Sequence, residues 1–178
     1  MTWTTFHRRG EVLRTLTSTA DARRDGLLPM DVAGVRETFG DELSVIAALQ
    51  LRWHTRLSGH LEHAVMQQPT DLDDAVVVAW HATADELPGT RMVLDHYRAE
   101  PLDDEMARML RTSSAKEHLL LAAMAGRSGA DRNATITVGR ALEERARSTY
   151  HPPPGQTDLE ARHRRRGLLD RVRGRLVA

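Results

Sequence analysis

The strongest constraint on the fold of this chain is the helical spacing of its apolar residues. Between residues 41 and 67 they fall within a face roughly 100° wide, which is typical of a helix packed on a core. The same spacing continues over residues 71–87 and 102–127, and less clearly in the first and last segments of the body. The face on the longest segment comprises Leu43, Ile46, Ala47, Trp53, Leu57, Leu61, Ala64 and Val65.

These segments predict an all-α fold. Pro69, Pro88-Gly89 and Ser128-Gly129 separate them, and Asp41, Asp71 and Asp131 are typical helix-capping residues at their starts. The composition, 40% hydrophobic and 28% charged, is that of a folded soluble protein. We therefore predict a single bundle of about five to seven helices over residues 1–150.

A proline-rich linker over residues 151–157 and a tail over residues 158–178 follow this body. From Thr157 to Ala178 there are seven arginines and three carboxylates, whereas the whole chain is neutral, so a basic tail follows an acidic body. Leu168, Leu169, Val172 and Leu176 form one face of a short amphipathic helix. The composition also allows the tail to be disordered. Its arginines, predicted to contact an anionic surface or an acidic protein, include Arg162, Arg164, Arg165, Arg166 and Arg173.

Several functional classes are excluded or disfavoured. The chain has no cysteine, so it has no disulfide or thiolate metal site. There is no signal-peptide pattern and no apolar run long enough to span a membrane, which makes a cytoplasmic location the expectation. The sequence contains no phosphate-binding loop, dinucleotide-binding fingerprint or hydrolase motif, so it does not indicate a cofactor. The tail lacks interleaved aromatic residues, so sequence-specific nucleic-acid binding is not expected.

Five polar residues occupy positions that the helical spacing would bury. Buried polar groups need partners, so we predict that these residues meet in an internal network. They are Gln50, His54, Glu86, Ser113 and Glu117.

Such a network has three interpretations. It could be a structural hydrogen-bond cluster that sets helix register. It could orient a small ligand in a pocket lined by Met106, Met109 and Met124. It could also be a metal or acid–base site formed by His54, Glu86 and Glu117.

The sequence favours a non-enzymatic cytoplasmic binding or regulatory protein, with the polar core as a possible ligand pocket. The alternative is a metal-dependent or acid–base enzyme that uses the His/carboxylate cluster. Two further groups, His60 with Glu62 and His63, and His81 with Asp85, are expected on solvated helix faces.

Overall fold

The computed structural model describes residues 3–152, with side chains from residue 7 onward. The described part of the chain contains seven helices and no strand, which confirms the all-α bundle. The tail, its arginines and most of the proline linker lie outside the described residues. The helices are α1 (Trp3–Arg23), α2 (Val35–Phe39), α3 (Glu42–Met66), α4 (Leu72–Glu86), α5 (Pro88–Ala99), α6 (Asp104–Met124) and α7 (Arg132–Thr149).

The long helices begin where aspartate side chains cap them. Asp41, Asp71 and Asp131 accept hydrogen bonds from backbone N–H groups two or three residues later, at 2.7–3.2 Å. Asp103 caps α6 in the same way, at 2.8 Å from the Met106 nitrogen. These bonds satisfy donors that the first helical turn leaves free. Pro88 is the first residue of α5, a position that tolerates its missing N–H.

Four helices form a closed ring of neighbours. The α3–α4 and α6–α7 hairpins pack side by side, because α4 contacts α7 and α3 contacts α6. Helix α5 packs across this bundle against α1, α3, α4 and α6, and α1 covers α5 from outside. Every helix of the ring therefore has a neighbour on more than one side.

The centre of the bundle is formed by two tryptophans. Trp53 of α3 and Trp80 of α4 are almost completely buried, and their rings meet edge to face with centroids 5.7 Å apart. This geometry suits the quadrupoles of aromatic rings. Leucines at Leu49, Leu57, Leu61, Leu94 and Leu121 pack in the same core cluster.

One glycine sets the distance between α6 and α7. A Cβ atom on Gly139 would lie 1.8 Å from the carbonyl oxygen of His118, so only glycine fits at this crossing. Because the two helices approach closely at Gly139, side chains of α6 and α7 near this crossing can contact each other directly.

No helix within residues 3–152 combines the length and the apolar character that a membrane span requires.

Candidate functional site

Three of the five predicted polar residues line one cavity between α3 and α6. Gln50 and His54 come from α3 and Ser113 comes from α6. The cavity has a volume of about 270 Å³, and we call it the α3–α6 pocket. The rest of its lining consists of Ala47, Leu51, Met109 and Lys116.

The polar groups of this pocket are only partly engaged with the protein. Gln50 is 6% exposed, and its Nε2 atom has no hydrogen-bond partner in the described part of the chain. The Ser113 hydroxyl contacts the Met109 sulfur at 3.6 Å, a weak interaction. The side chains of His54 and Lys116 form no hydrogen bond or ion pair with another described residue. The pocket therefore presents several unused donors.

Glu117 lies one turn after Ser113 on α6 and is fully buried. Neither of its carboxylate oxygens has a hydrogen-bond partner among residues 3–152. Its nearest cation is Arg91 of α5, whose Nη1 atom is 3.9 Å from Oε1, beyond hydrogen-bonding distance. The Arg91 guanidinium also lies 4.6 Å from the centre of the Trp53 ring.

The expected burial of Glu86 is wrong. Glu86 is the last residue of α4, and its side chain is 31% exposed. It pairs with Arg56 and with His60, whose Nε2 atom is 3.0 Å from Oε2. Burial acts to raise its pKa, but the bonds from His60 and Arg56 lower it below the ordinary value. The helical spacing places Glu86 on the apolar face, but at the last turn of α4 its carboxylate remains partly exposed beside Arg56 and His60 of α3.

The predicted methionines separate in the structure. Met109 lines the α3–α6 pocket, but Met106 and Met124 do not. Met106 is 1% exposed and belongs to the apolar core, and Met124 is half-buried against that core.

The three residues of the metal or acid–base hypothesis are not assembled into one site. Among the described residues, no three His, Asp or Glu side chains are grouped so that they could hold a metal ion. His54, Glu86 and Glu117 instead belong to the pocket, the surface pair and the buried position described above.

Sequence reasoning missed the most extensive polar arrangement, an ionic network that joins α5, α6 and α7. Its centre is Glu143 of α7, which is 4% exposed. One oxygen, Oε1, accepts hydrogen bonds from Arg98 at 2.8 Å and from Arg147 at 2.7 and 3.0 Å. The other, Oε2, is 2.7 Å from Nε2 of His118. The network comprises Arg91, Asp95, Arg98, His118, Glu143 and Arg147.

The network shifts the pKa values of its members. Burial acts to raise the pKa of Glu143, but the His118 hydrogen bond and the charges of Arg98 and Arg147 hold it far below the ordinary range. Burial likewise opposes ionisation of Arg147, yet Asp95 and Glu143 raise its pKa. Both groups therefore stay charged at neutral pH.

Asp95 links this centre to the bundle core. It accepts two hydrogen bonds from Arg147, at 2.8 and 2.9 Å, and one from Arg91 at 2.6 Å. Burial acts to raise the pKa of Asp95, and the arginine charges lower it overall. Arg91 is 5% exposed in its side chain, and burial lowers its pKa against the pull of Asp95 and Glu117.

The sequence contained a partial signal for this network. Arg91 and Asp95, and Glu143 and Arg147, are spaced by four residues, the spacing of helical ion pairs. Glu143 also lies between the buried residues Leu142 and Ala146. The bonds that join different helices connect residues 25 to 52 positions apart, and no local pattern indicates them.

The network borders an open cleft of about 530 Å³, which we call the ionic cleft. Arg98 of α5 and Pro101 of the loop that follows line one side of it, and the facing surfaces of α6 and α7 form the rest. Comparisons of the chain with protein-family models, with curated proteins and with solved structures found no match.

Proposed function

We propose that this chain is a non-enzymatic cytoplasmic binding or regulatory protein that holds a small ligand in the α3–α6 pocket. The supporting observation is the convergence of Gln50, His54 and Ser113 on one cavity, where the Gln50 Nε2 atom has no partner among the described residues. A buried donor without an acceptor costs about 1–3 kcal/mol. A ligand oxygen that accepts from Gln50 would recover that cost.

The lining indicates the chemistry of the ligand. Gln50, Ser113 and Lys116 offer hydrogen-bond donors, and the Lys116 ammonium adds a positive charge. Leu51 and Met109 supply the apolar part of the wall. A cavity of about 270 Å³ suits a compact molecule. These features favour a small monocarboxylate with a short apolar body.

The competing enzyme hypothesis has less support from the geometry. The best histidine–carboxylate pair is His118 with Glu143, and not the set predicted from sequence. Two arginines engage Glu143 and lower its pKa, which makes it a weak base. The second ring nitrogen of His118, Nδ1, has no hydrogen-bond partner in the described region, so no third group orients the ring as in the usual acid–base arrangements.

Methyl NMR of methionine-labelled protein tests the proposal, with butyrate and benzoate as probes. We expect a saturable shift of the Met109 methyl signal and none at Met66, which is 77% exposed on the end of α3. The Gln50→Met variant keeps the buried volume but removes the donor, and it should bind at least about tenfold more weakly.

Glu62→Gln, an exposed change on the same helix, is the matched control and should bind like the wild type. If neither probe shifts Met109 at millimolar concentration, or if Gln50→Met binds equally well, the proposal is wrong.

A further inference from the structure

The outer face of α3 carries a large exposed apolar side chain. Leu51 is 67% exposed although it lies in the middle of this helix. The α3–α6 pocket lies on one side of Leu51, and an open groove of about 700 Å³ lies on its other side, between α1 and α3. We call this second cavity the α1–α3 groove. Single exposed leucines are common, so the surface around Leu51 decides whether it has a role.

The groove beside Leu51 is apolar along its length. Leu13 of α1 and Ala47 and Ala48 of α3 line it together with Leu51. Its lining extends along α3 from Ser44 to Arg56, which at a rise of 1.5 Å per residue is roughly 18 Å, or a little over three helical turns. Because the alanine side chains are short, another helix can approach α3 closely along this groove.

The groove and the neighbouring pocket contain only positively charged side chains. Arg9, Arg52 and Arg56 line the groove, and Lys116 lines the pocket. No aspartate or glutamate belongs to either lining. Since the body of the chain is acidic as a whole, this face is a cationic area on an acidic protein. An apolar centre with a polar rim that is rich in arginine is typical of protein interfaces.

The three arginines of the groove differ in their partners. Arg9 donates to a backbone carbonyl oxygen of α2 at 3.3 Å, and Arg56 pairs with Glu86. Arg52 forms no hydrogen bond or ion pair with another described residue, and its Nε atom is buried without a partner. Burial raises the pKa of the nearby Asp21, and the charge of Arg52 opposes this rise without a hydrogen bond between the two side chains. Arg52 therefore has unused donors at the edge of the groove.

We propose that the α1–α3 groove binds an amphipathic helix of a partner protein, with an acidic polar face. Helices of this kind bind apolar grooves through anchors at i, i+3 or i+4, and i+7, which here would cover Leu13, Ala48 and Leu51. Acidic residues beside these anchors would pair with Arg9 and Arg52 at the rim. The tail of this chain is a poor occupant, because its seven arginines would face the arginines of the groove.

Fluorescence anisotropy of a labelled synthetic peptide, titrated with the full chain, tests this surface. The probe has about 15 residues, with leucines at helical spacing on one face and glutamates on the other. We expect saturable binding that weakens as salt is raised, because the ion pairs lie at the exposed rim. A peptide with lysine in place of each glutamate should bind at least about tenfold more weakly.

Two exposed aliphatic residues provide a matched pair of variants. Leu51→Glu places a negative charge at the centre of the apolar surface and should abolish binding of the acidic peptide. Val78 of α4 is 62% exposed and does not line the groove, so Val78→Glu should bind like the wild type. Both positions are open to solvent, so both variants should fold normally.

A second pair of variants tests the charge at the rim. Arg52→Gln should weaken peptide binding by about tenfold and reduce its dependence on salt. Arg108 of α6 is exposed and lines neither cavity, so Arg108→Gln is the control and should bind normally. Arg52 does not line the α3–α6 pocket, so Arg52→Gln should keep the response of the Met109 methyl signal to benzoate. Failure of the groove and failure of the pocket can therefore be told apart.

Several results would overturn the inference. Equal affinity for the lysine peptide would show that charge does not select the occupant. Losses in Val78→Glu or Arg108→Gln as large as those in the groove variants would indicate nonspecific attraction. Self-association of the chain that Leu51→Glu abolishes, as measured by sedimentation, would make a second copy the occupant. Absence of saturable binding of the acidic peptide would refute the site itself.

Discussion

Two buried glutamates near α6, Glu143 and Glu117, differ in whether their carboxylate oxygens are hydrogen-bonded. At the α6–α7 interface, Glu143 has hydrogen bonds to both oxygens, from two arginines and a histidine. One turn after Ser113, on the side of α6 that meets α3, Glu117 is fully buried, and neither oxygen has a hydrogen-bond partner in the described chain. The Gln50 amide nitrogen on the facing helix is equally unpartnered.

This difference in hydrogen bonding distinguishes a region that stabilises the fold from a region where a ligand can bind. A satisfied buried network holds its helices in one arrangement, and removing a member leaves charges without partners. Unpartnered polar groups beside a cavity lower stability and are typical of sites adapted to another molecule. We therefore regard the α6–α7 interface as structural and the α3–α6 interface as the one adapted to bind a ligand.

The largest effect is expected from Gly139→Ala. A Cβ atom there would lie 1.8 Å from the His118 carbonyl oxygen, so α6 and α7 must separate and the His118–Glu143 contact must lengthen. We expect a loss of about 4 kcal/mol in the free energy of unfolding. In a chain of this size, that loss would lower Tm by roughly 8–16 °C in a thermal melt.

Gly59→Ala is the matched control. Gly59 is also inside a long helix, but a Cβ atom there meets nothing within 4 Å. Alanine has the higher helix propensity, so this variant should gain about 0.5–1 kcal/mol. Equal effects of the two substitutions would show that α6 and α7 are not held at close approach.

Glu143→Met should have the next largest effect. It removes the shared acceptor of Arg98, His118 and Arg147, and Arg147 keeps its ion pair with Asp95 and its contact with the Trp80 ring. Breaking a buried charged network in this way costs about 3 kcal/mol. Chemical denaturation at neutral pH measures the loss directly.

The pH dependence of stability provides an independent check on Glu143. Its folded pKa lies far below the ordinary value of 4.5, so its contribution is complete above about pH 5. As the pH falls below about 5, Glu143 is protonated in the unfolded state before it is protonated in the folded state. The contribution of Glu143 to the free energy of unfolding is then progressively lost. Wild-type stability should therefore fall more steeply between about pH 5 and pH 3 than that of Glu143→Met. Parallel pH profiles would contradict this role.

Local sequence information predicted the helices because their determinants are local. Asp41, Asp71 and Asp131 cap helices that begin at the next residue, as the spacing indicated. The all-α architecture follows from the same spacing. Pro88-Gly89 predicts an interruption, and α4 does end at Glu86; α5 then begins at Pro88 itself, because a proline at the first helical position loses no hydrogen bond.

The site was less predictable because it depends on how helices are rotated against one another. The spacing predicts a solvated face of α4 at His81 and Asp85; Asp85 is exposed, but α7 packs against this face and leaves His81 half-buried. His81 Nε2 is 2.8 Å from the Ala146 carbonyl oxygen, and Tyr150 donates to Asp85 at 3.1 Å. Helical spacing identifies one apolar face, but it does not reveal a second neighbouring helix.

Helical spacing also does not show how far a neighbouring helix extends, which explains why only some of the five predicted polar residues line one cavity. Gln50, His54 and Ser113 lie near the middle of their helices, where the apolar face does meet a neighbour, and they line one cavity. Glu86 lies at a helix end and reaches the surface. The ionic network was not predictable from local spacing, because it depends on contacts between distant residues such as Asp95 and Arg147, which are 52 positions apart.

An effect smaller than those of Gly139→Ala and Glu143→Met, and of opposite sign, is expected from Glu117→Met. The substitution keeps the volume of the side chain and removes a buried carboxylate that has no hydrogen bond within residues 3–152. Arg91 retains its 2.6 Å bond to Asp95 and its contact with the Trp53 ring, so it is not left without a partner. Burying a carboxylate that has no hydrogen bond carries a desolvation cost, which the apolar side chain removes, and we expect a gain of about 1 kcal/mol. The same Glu→Met change would then destabilise the α6–α7 interface and stabilise the α3–α6 interface, as measured by denaturation of the two variants under identical conditions. A loss of about 2 kcal/mol or more at Glu117 would show that its 3.9 Å approach to Arg91 stabilises the core, and the contrast between the two interfaces would be lost.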